Sequence, residues 1–350
     1  MNNDIRKILE AGVQAPSGSN SQPWKFIVKG NQISVMGIPE KDHLVLNYRN
    51  RGTWVANGAV IENIFIAASN FGYKTDIKIF PDATNPNLVA IITLEKSNPI
   101  KESLYDSISL RVTNRKPYKL TPLGSKTKEQ LFNEAKKFQG VEFKIIEDPK
   151  IIKEIGKAIS INEIVMLENK KLHKLFFDEI IWSEEDSKKR GYGFYVKTME
   201  LKVHQQLVLH ILKYWPIMNL FNKIGFAKYI AEDNLKMYSS APALGVIIVE
   251  NNDKDFVMAG RLLERIWLKV TEMKLSLHLM TGIFFFWQRI MAGDVGGFSD
   301  YHIELIKKAY KEVSLLCGVN KGIIALVFRL GEGGKPSALS FKRSPSISYN

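Results

Sequence analysis

The sequence predicts an α+β protein in which helices pack on sheets, assembled from two related halves. Three observations point there. Gly58-Ala-Val-Ile-Glu62-Asn-Ile64-Phe65-Ile66 aligns without a gap with Gly260-Arg-Leu-Leu-Glu264-Arg-Ile266-Trp267-Leu268, and apolar residues recur at helical spacing in both. Each of these core-facing helices follows an apolar strand-like stretch, Gln32 to Ile38 in the first case and Ala243 to Glu250 in the second. Each is also followed by another, Leu88 to Leu94 and Ile323 to Leu330. Helices alternating with strands argue for stacked layers rather than a helical bundle.

The remaining elements follow in chain order. A helix over Ile5 to Val13 runs into a small, polar, proline-bracketed loop, and that loop feeds a strand beginning at Trp24-Lys25-Phe26-Ile27-Val28. A helix around Leu131 to Lys137 and a strand over Val141 to Ile146 are joined only by Phe138-Gln-Gly140. From about Ile161 to Lys236 the pattern is helical, with few strand signals, and carries Trp182, Tyr192, Tyr195, Tyr214 and Trp215. This region reads as an insertion on the α/β body. Three roles suit it: a lid over a pocket, a packing or dimerisation arm, or, given Lys213, Lys223 and Lys228 among apolar residues, an amphipathic membrane-surface element. The expected organisation is a first half over 1–100, a second half over 101–350, and the insertion at about 161–236 within the second.

Composition narrows the function classes. With 350 residues and 45% hydrophobic content the chain can bury a substantial core. The single cysteine, Cys317, lies in an apolar run, so no intrachain disulfide framework or cysteine-rich metal site is expected. The six histidines (His43, His173, His204, His210, His278, His302) show no paired ligand spacing, and no metal is expected. The polar opening Met-Asn-Asn-Asp-Ile-Arg-Lys does not read as a signal peptide. Leu207 to Phe221, the longest greasy stretch, is interrupted by His210, Lys213, Pro216 and Asn219 and falls short of a membrane span. A reduced, cytoplasmic protein without stable membrane insertion is the expectation. The net charge of +13 raises nucleic-acid binding. The lysines are scattered, however, and no basic recognition motif accompanies them, so a solvated basic surface is the preferred reading.

Three segments carry chemistry. Pro16, Ser17, Gly18, Ser19, Asn20 and Gln22 lie in Ala15-Pro-Ser-Gly-Ser-Asn-Ser-Gln-Pro-Trp24. Small residues let a ligand approach the backbone closely. The uncharged hydrogen-bonding side chains suit a polyol chain or a pyrimidine edge; by composition alone the run is also an ordinary turn. In Ser109-Leu-Arg111-Val-Thr113-Asn-Arg115-Lys-Pro117-Tyr118, two arginines flank a hydroxyl at alternate positions, which places three groups on one side of an extended chain. That cluster fits a phosphate dianion. The third segment, Arg329-Leu-Gly331-Glu-Gly-Gly-Lys-Pro336 followed by Ser340-Phe-Lys342-Arg343-Ser-Pro345, adds further cations.

Pro-Ser-x-x-Asn-x-Gln-Pro-Trp after an Ile-Leu-Glu-Ala-Gly helix resembles the flavin-contacting loop of the nitroreductase superfamily. The arginine segment is similar to that family's phosphate motif, and the third segment to its basic ending. The resemblance implies a nitroreductase-like three-layer α/β/α fold and an FMN cofactor. Pro16, Ser17, Gly18, Ser19, Asn20, Gln22, Arg111, Thr113, Arg115, Lys342 and Arg343 would contact it, and Thr281 and Gly282 would fall where the family places a backbone N–H near flavin N5. Ordinary members are homodimers that build each site from both subunits. Here the first half has the loop without the phosphate motif, and the second half has the reverse. The chain therefore resembles a fused dimer, an internal pseudo-dimer with one FMN per chain, whether monomeric or homodimeric as a whole. The implied reaction passes hydride from NAD(P)H through flavin N5 to an electron-poor small-molecule acceptor such as a nitroaromatic or quinone, with no separate catalytic dyad or triad. The alternative is a flavin-sequestering protein with a closed lid.

Overall fold

The computed structural model describes residues 3–42 and 46–349; His43 lies outside them. About half of the chain is helical and about a fifth is strand. The first part runs α1 (Asn3–Gly12), β1 (Trp24–Lys29), β2 (Gln32–Gly37), α2 (Arg51–Asn70), β3 (Tyr73–Ile79) and β4 (Leu88–Lys96). There follow α3 (Ser125–Ala135), β5 (Val141–Ile146), α4 (Pro149–Ile159), α5 (Ile161–Glu168), α6 (Lys170–Glu179), β6 (Ile180–Ile181), α7 (Glu184–Arg190), β7 (Phe194–Tyr195), α8 (Val203–Leu212), α9 (Trp215–Asn222) and α10 (Phe226–Tyr238). The chain closes with β8 (Ala243–Val249), α11 (Asp253–Glu272), β9 (Ser276–Leu279), α12 (Gly282–Met291), α13 (Asp300–Leu316), β10 (Ile323–Gly331) and β11 (Ile347–Tyr349).

Two sheets form, ordered β11-β1-β2-β4-β3 and β5-β8-β10-β9, with a small β6-β7 pair inside the insertion. Their faces differ in a way the strand sequences explain. β8, Ala-Leu-Gly-Val-Ile-Ile-Val, is buried at all seven positions. Ala243, Ile247 and Val249 face the central core, whereas Leu244, Val246 and Ile248 face α4, α5, α12 and α13. A continuous apolar run is what a sheet covered on both faces requires. β1, Trp-Lys-Phe-Ile-Val-Lys, instead alternates, with Lys25 and Lys29 exposed, so the five-stranded sheet keeps one face toward solvent. The helix–sheet–helix layering thus holds for the four-stranded sheet, while the five-stranded sheet has helices on one side only.

The two gapless-match helices lie at the centre. In α2 and α11 burial extends around most of the helix, as expected for helices surrounded by protein. They cross at their glycines. A Cβ on Gly58 would stand 2.0 Å from the Val257 carbonyl oxygen, and one on Gly260 would stand 2.0 Å from that of Val55. Each glycine thus meets the residue three positions before the other, a reciprocal contact. The next turn departs from the repeat. Glu62 binds Arg261 and Arg265, and Arg265 also reaches Glu102 and Glu134. Glu264, at the matching position, faces Arg111.

The insertion is anchored at both ends. α5 and α10 pack with α4 against the four-stranded sheet, through Ile155, Val165, Met166 and Tyr238. The middle has its own core of Leu167, Phe177, Ile180, Tyr195, Val196, Leu212, Met218 and Ala227. Between α7 and α8, residues 190–200 form a strap that contains β7 and a 3-10 turn at Val196–Met199.

Candidate functional site

Among the described residues, the loop after α1 is the most unusual piece of backbone. Ser19, Asn20 and Gln22 all have positive φ, at 47°, 54° and 52°. Non-glycine residues in this region are uncommon, and three within four positions persist only where their surroundings hold them. Those surroundings are visible. Ser17 Oγ accepts from the Gln22 amide at 3.0 Å, Gln22 Nε2 donates to the Asn20 and Gly191 carbonyls, and Asn20 Nδ2 donates to the Phe341 carbonyl at 2.8 Å. Asn20 Oδ1 is buried without a hydrogen-bond partner. A buried acceptor left open in a strained loop is what a ligand donor would satisfy.

Opposite the loop, the Arg111 segment runs beside β9, where Thr113 makes a parallel bridge with Leu277. Arg111 is 5% exposed, lies 3.2 Å from Glu264, donates to the Gln14 carbonyl at 2.6 Å, and stacks on Trp267 at 4.6 Å. Arg115 donates to the Thr198 carbonyl of the strap at 3.0 Å. Lys342, from the C-terminal segment, donates to the Ala15 carbonyl at 2.7 Å. That segment is held in place because β11 pairs in parallel with β1, matching Phe26 with Ile347.

These three segments line one cavity of about 300 Å³. Pro16, Ser17, Ser19, Asn20, Arg111, Thr113, Arg115 and Lys342 all contribute to its walls. The other predicted residues stand elsewhere. Gly18 is not among the lining residues, although a Cβ there would meet nothing within 4 Å. Gln22 sits behind the wall, its Oε1 accepting from the Arg343 amide. Arg343 turns to the strap, donating to the Arg190 carbonyl and stacking on Tyr192 at 4.5 Å. Thr281 and Gly282 are not brought to the cavity: α12 starts there, and Gly282 packs against Asn162 of α5.

Sequence reasoning missed Gln14, Glu264 and the strap residues Gly193, Phe194 and Thr198. The strap carries no motif, and only contact across the fold reveals it. The strap is tied to the site's segments: the Gly193 amide donates to the Ser19 carbonyl at 2.8 Å, the Thr198 carbonyl accepts from Arg115 at 3.0 Å, and the Glu200 carboxylate accepts from the Ser337 amide at 2.7 Å.

The electrostatics of the cavity follow from burial. Glu264 is raised to about 7 by desolvation, against the opposing pull of Arg111. Lys342 is lowered to about 7 by desolvation and by Arg111, with Glu264 opposing. Below that pH both are protonated, and Arg111, Arg115 and Lys342 present three positive charges. Above it Glu264 gains a negative charge or Lys342 loses its proton, and either change lowers the positive charge facing a bound anion. If the cavity holds an FMN phosphate, affinity should fall roughly tenfold or more as pH rises from about 6.5 to about 8.5. Riboflavin, which has no phosphate, should show a flat profile in the same fluorescence titration. Parallel profiles would dissociate the cation cluster from the phosphate.

Comparison with known proteins agrees with this geometry at the decisive place. Residues 2–36, which contain the strained loop, match the model of the Nitroreductase family. Among curated relatives, an uncharacterized Mycobacterium tuberculosis protein, MT1398, is 22% identical over 96% of this chain and 47% of its own length. A second M. tuberculosis protein, acg, provisionally named an NAD(P)H nitroreductase, is 25% identical over 34% of this chain and 37% of its own. The chain thus spans about half or less of the length of these curated relatives. Among solved structures, the FMN-dependent nitroreductase NfnB from Mycobacterium smegmatis overlaps 69% of this chain and 93% of its own, at 12% identity and a TM-score of 0.40.

Proposed function

We propose that the protein is a flavoprotein oxidoreductase of nitroreductase type, holding one FMN in the cavity between the 16–20 loop and the Arg111 segment. One observation carries this reading: the three segments that resemble the family's flavin contacts, separated by up to about three hundred residues, meet around a single cationic, partly polar cavity. Arg111, Arg115 and Lys342 provide the charge a phosphate needs, with Thr113 between the arginines. Ser17, Ser19 and Asn20 provide uncharged partners for the rest of the cofactor. Bound flavin would supply the redox chemistry, accepting hydride from NAD(P)H and passing electrons to a nitroaromatic or quinone-like acceptor. The protein's part is to orient the cofactor, neutralise its phosphate and exclude water. The loop from the first half and the arginines from the second would make the chain a fused pseudo-dimer that needs no second copy to complete this site.

A second reading has its own support. The strap is pinned by Ser19, Asn20, Gln22, Arg115, Ser337 and Arg343, all in or beside the cavity, and Gly193, Phe194 and Thr198 form part of its wall, so a strap that stayed in place would restrict the approach of a nicotinamide. A protein latched in this way would hold flavin without turning it over. Reconstitution with FMN followed by anaerobic mixing with NADH or NADPH separates the two. Bleaching of the flavin band within seconds, and its recovery on adding a quinone, supports the oxidoreductase; a bound flavin that no nicotinamide bleaches supports sequestration. Failure to take up FMN at all removes both. R115A should weaken FMN binding by at least about tenfold, since a charge-assisted contact contributes roughly 1.5–3 kcal/mol. Equilibrium dialysis reads this directly, and an unchanged Kd would remove Arg115 from the site.

A further inference from the structure

The surface of the insertion holds an apolar concentration that the cavity does not use. Among the described residues, nine of the nineteen large hydrophobic side chains exposed to solvent lie between 203 and 229. On α8, Val203, Leu207 and Ile211 follow one another at four-residue spacing and are 77%, 63% and 52% exposed, which makes a continuous outward stripe. α9 packs beside α8, and α10 beside α9; there Leu220 and Ile224 are 62% and 80% exposed, with Tyr229 beyond them. The inward sides of the same helices are satisfied, through Leu212, Met218 and Ala227 in the insertion's own core. An outward apolar face on elements whose inner face is already packed calls for an external partner.

The charge pattern says which partner. From residue 201 to residue 231 the chain contains Lys202, Lys213, Lys223 and Lys228 and no aspartate or glutamate. Most of the flanking acids are engaged, with Glu200 bound to Ser337, Asp233 paired with Lys236 and Asp178 of neighbouring α6 paired with Lys174, which leaves Glu232 as the exposed acid at the border. A second copy of the same face would bring lysine against lysine. Tyr214 and Tyr229, each more than half exposed, suit a boundary between water and hydrocarbon. Basic residues bordering an exposed apolar stripe with interfacial aromatics are what a helix lying in a headgroup layer presents. No helix among the described residues is long and apolar enough to cross a membrane, so the contact would be peripheral.

We propose that the outer face of α8 to α10 docks on an anionic lipid bilayer. The apolar stripe would enter the headgroup boundary while the lysines meet the lipid phosphates, leaving the flavin cavity on the body of the protein.

Cosedimentation of the full chain with vesicles tests this, using phosphatidylcholine alone and phosphatidylcholine with about a third phosphatidylglycerol. The protein should pellet with the anionic vesicles and stay in solution with the neutral ones, and added salt should weaken the association. K213Q/K223Q should reduce partitioning roughly thirtyfold, at about 1 kcal/mol for each lysine near an anionic surface. L207S/I211S should reduce it by about tenfold or more through lost apolar burial. Leu207, Ile211 and Lys223 are exposed and Lys213 is half-buried at the surface of the insertion, so both variants should keep wild-type circular dichroism and flavin uptake. Protein that stays in the supernatant with anionic vesicles at low salt overturns the proposal. So does a concentration-dependent dimer that L207S/I211S dissociates, because the face would then be an interface between copies.

Discussion

Replacing Arg111 with alanine should lower the stability of the fold by about 3–5 kcal/mol as well as abolish flavin uptake. Arg111 faces Glu264 at 3.2 Å with both side chains buried, and Asn63 and Lys342 also act on Glu264. Truncating the arginine leaves Glu264 buried without its counter-ion, so the group must take up a proton or carry an uncompensated charge. The loss should depend on pH in a defined sense. With its opposing arginine gone, Glu264 would be raised further, so the folded state would bind a proton that the unfolded chain releases above about 4.3. Stability of the variant should therefore fall as pH rises from about 5 to about 8. The double variant R111M/E264M removes both charges and should recover most of the stability, yet remain unable to hold FMN. Urea titrations of wild type, the two single variants and the double variant give the coupling energy. If R111A is as stable as wild type, the ion pair does not exist in solution. If R111M/E264M binds FMN normally, Arg111 has no part in phosphate binding.

The second large effect concerns the helix crossing. G260A should destabilise the protein by about 3 kcal/mol or more, at or beyond the upper end of ordinary overpacking. The added methyl would sit 2.0 Å from a backbone oxygen of α2, and a main-chain atom cannot rotate aside as a side chain can. G58A should behave alike, and G58A/G260A should be far from additive because both strain one crossing. Gly156 of α4 makes a good contrast. Its Cβ would meet the mobile end of Leu235 at 3.3 Å, so G156A should be near neutral, helped by alanine's higher helix propensity. Equal losses at Gly156 and Gly260 in denaturant unfolding would contradict this account of the crossing.

Much of this architecture is legible before any coordinates. The strand at Val141 to Ile146 falls where its alternation predicts, and the paired helices begin their match at the two glycines that later prove to touch. The three candidate segments converge because each carries local chemistry, small polar groups in one and cations in the others, that shows without knowledge of the fold. What stays hidden depends on contact between distant segments. Glu62 and Glu264 occupy equivalent places in the gapless match, yet one neutralises Arg261 and Arg265 and the other Arg111. Nothing local distinguishes them. Gly193, Phe194 and Thr198 enter the cavity only because the insertion folds back over it. The carry-over to Thr281 and Gly282 misses the cavity for the opposite reason: the chain leaves β9 and turns at once into α12 against Asn162, so sequence distance from α11 does not translate into position.

The parallel pairing of β11 with β1 has a consequence for the life of the chain in the cell. Lys342 and the rest of the C-terminal segment leave the ribosome more than three hundred residues after the loop they complete. By then both sheets and the central crossing can already be in place, while the cavity still lacks one wall and the strap lacks its Arg343 and Ser337 anchors. If the cavity takes FMN as proposed, loading would wait until translation has passed residue 349. Stalled or shortened chains would carry a largely finished core and an open, flavin-free mouth, a difference that proteolysis of the nascent chain with and without FMN would display.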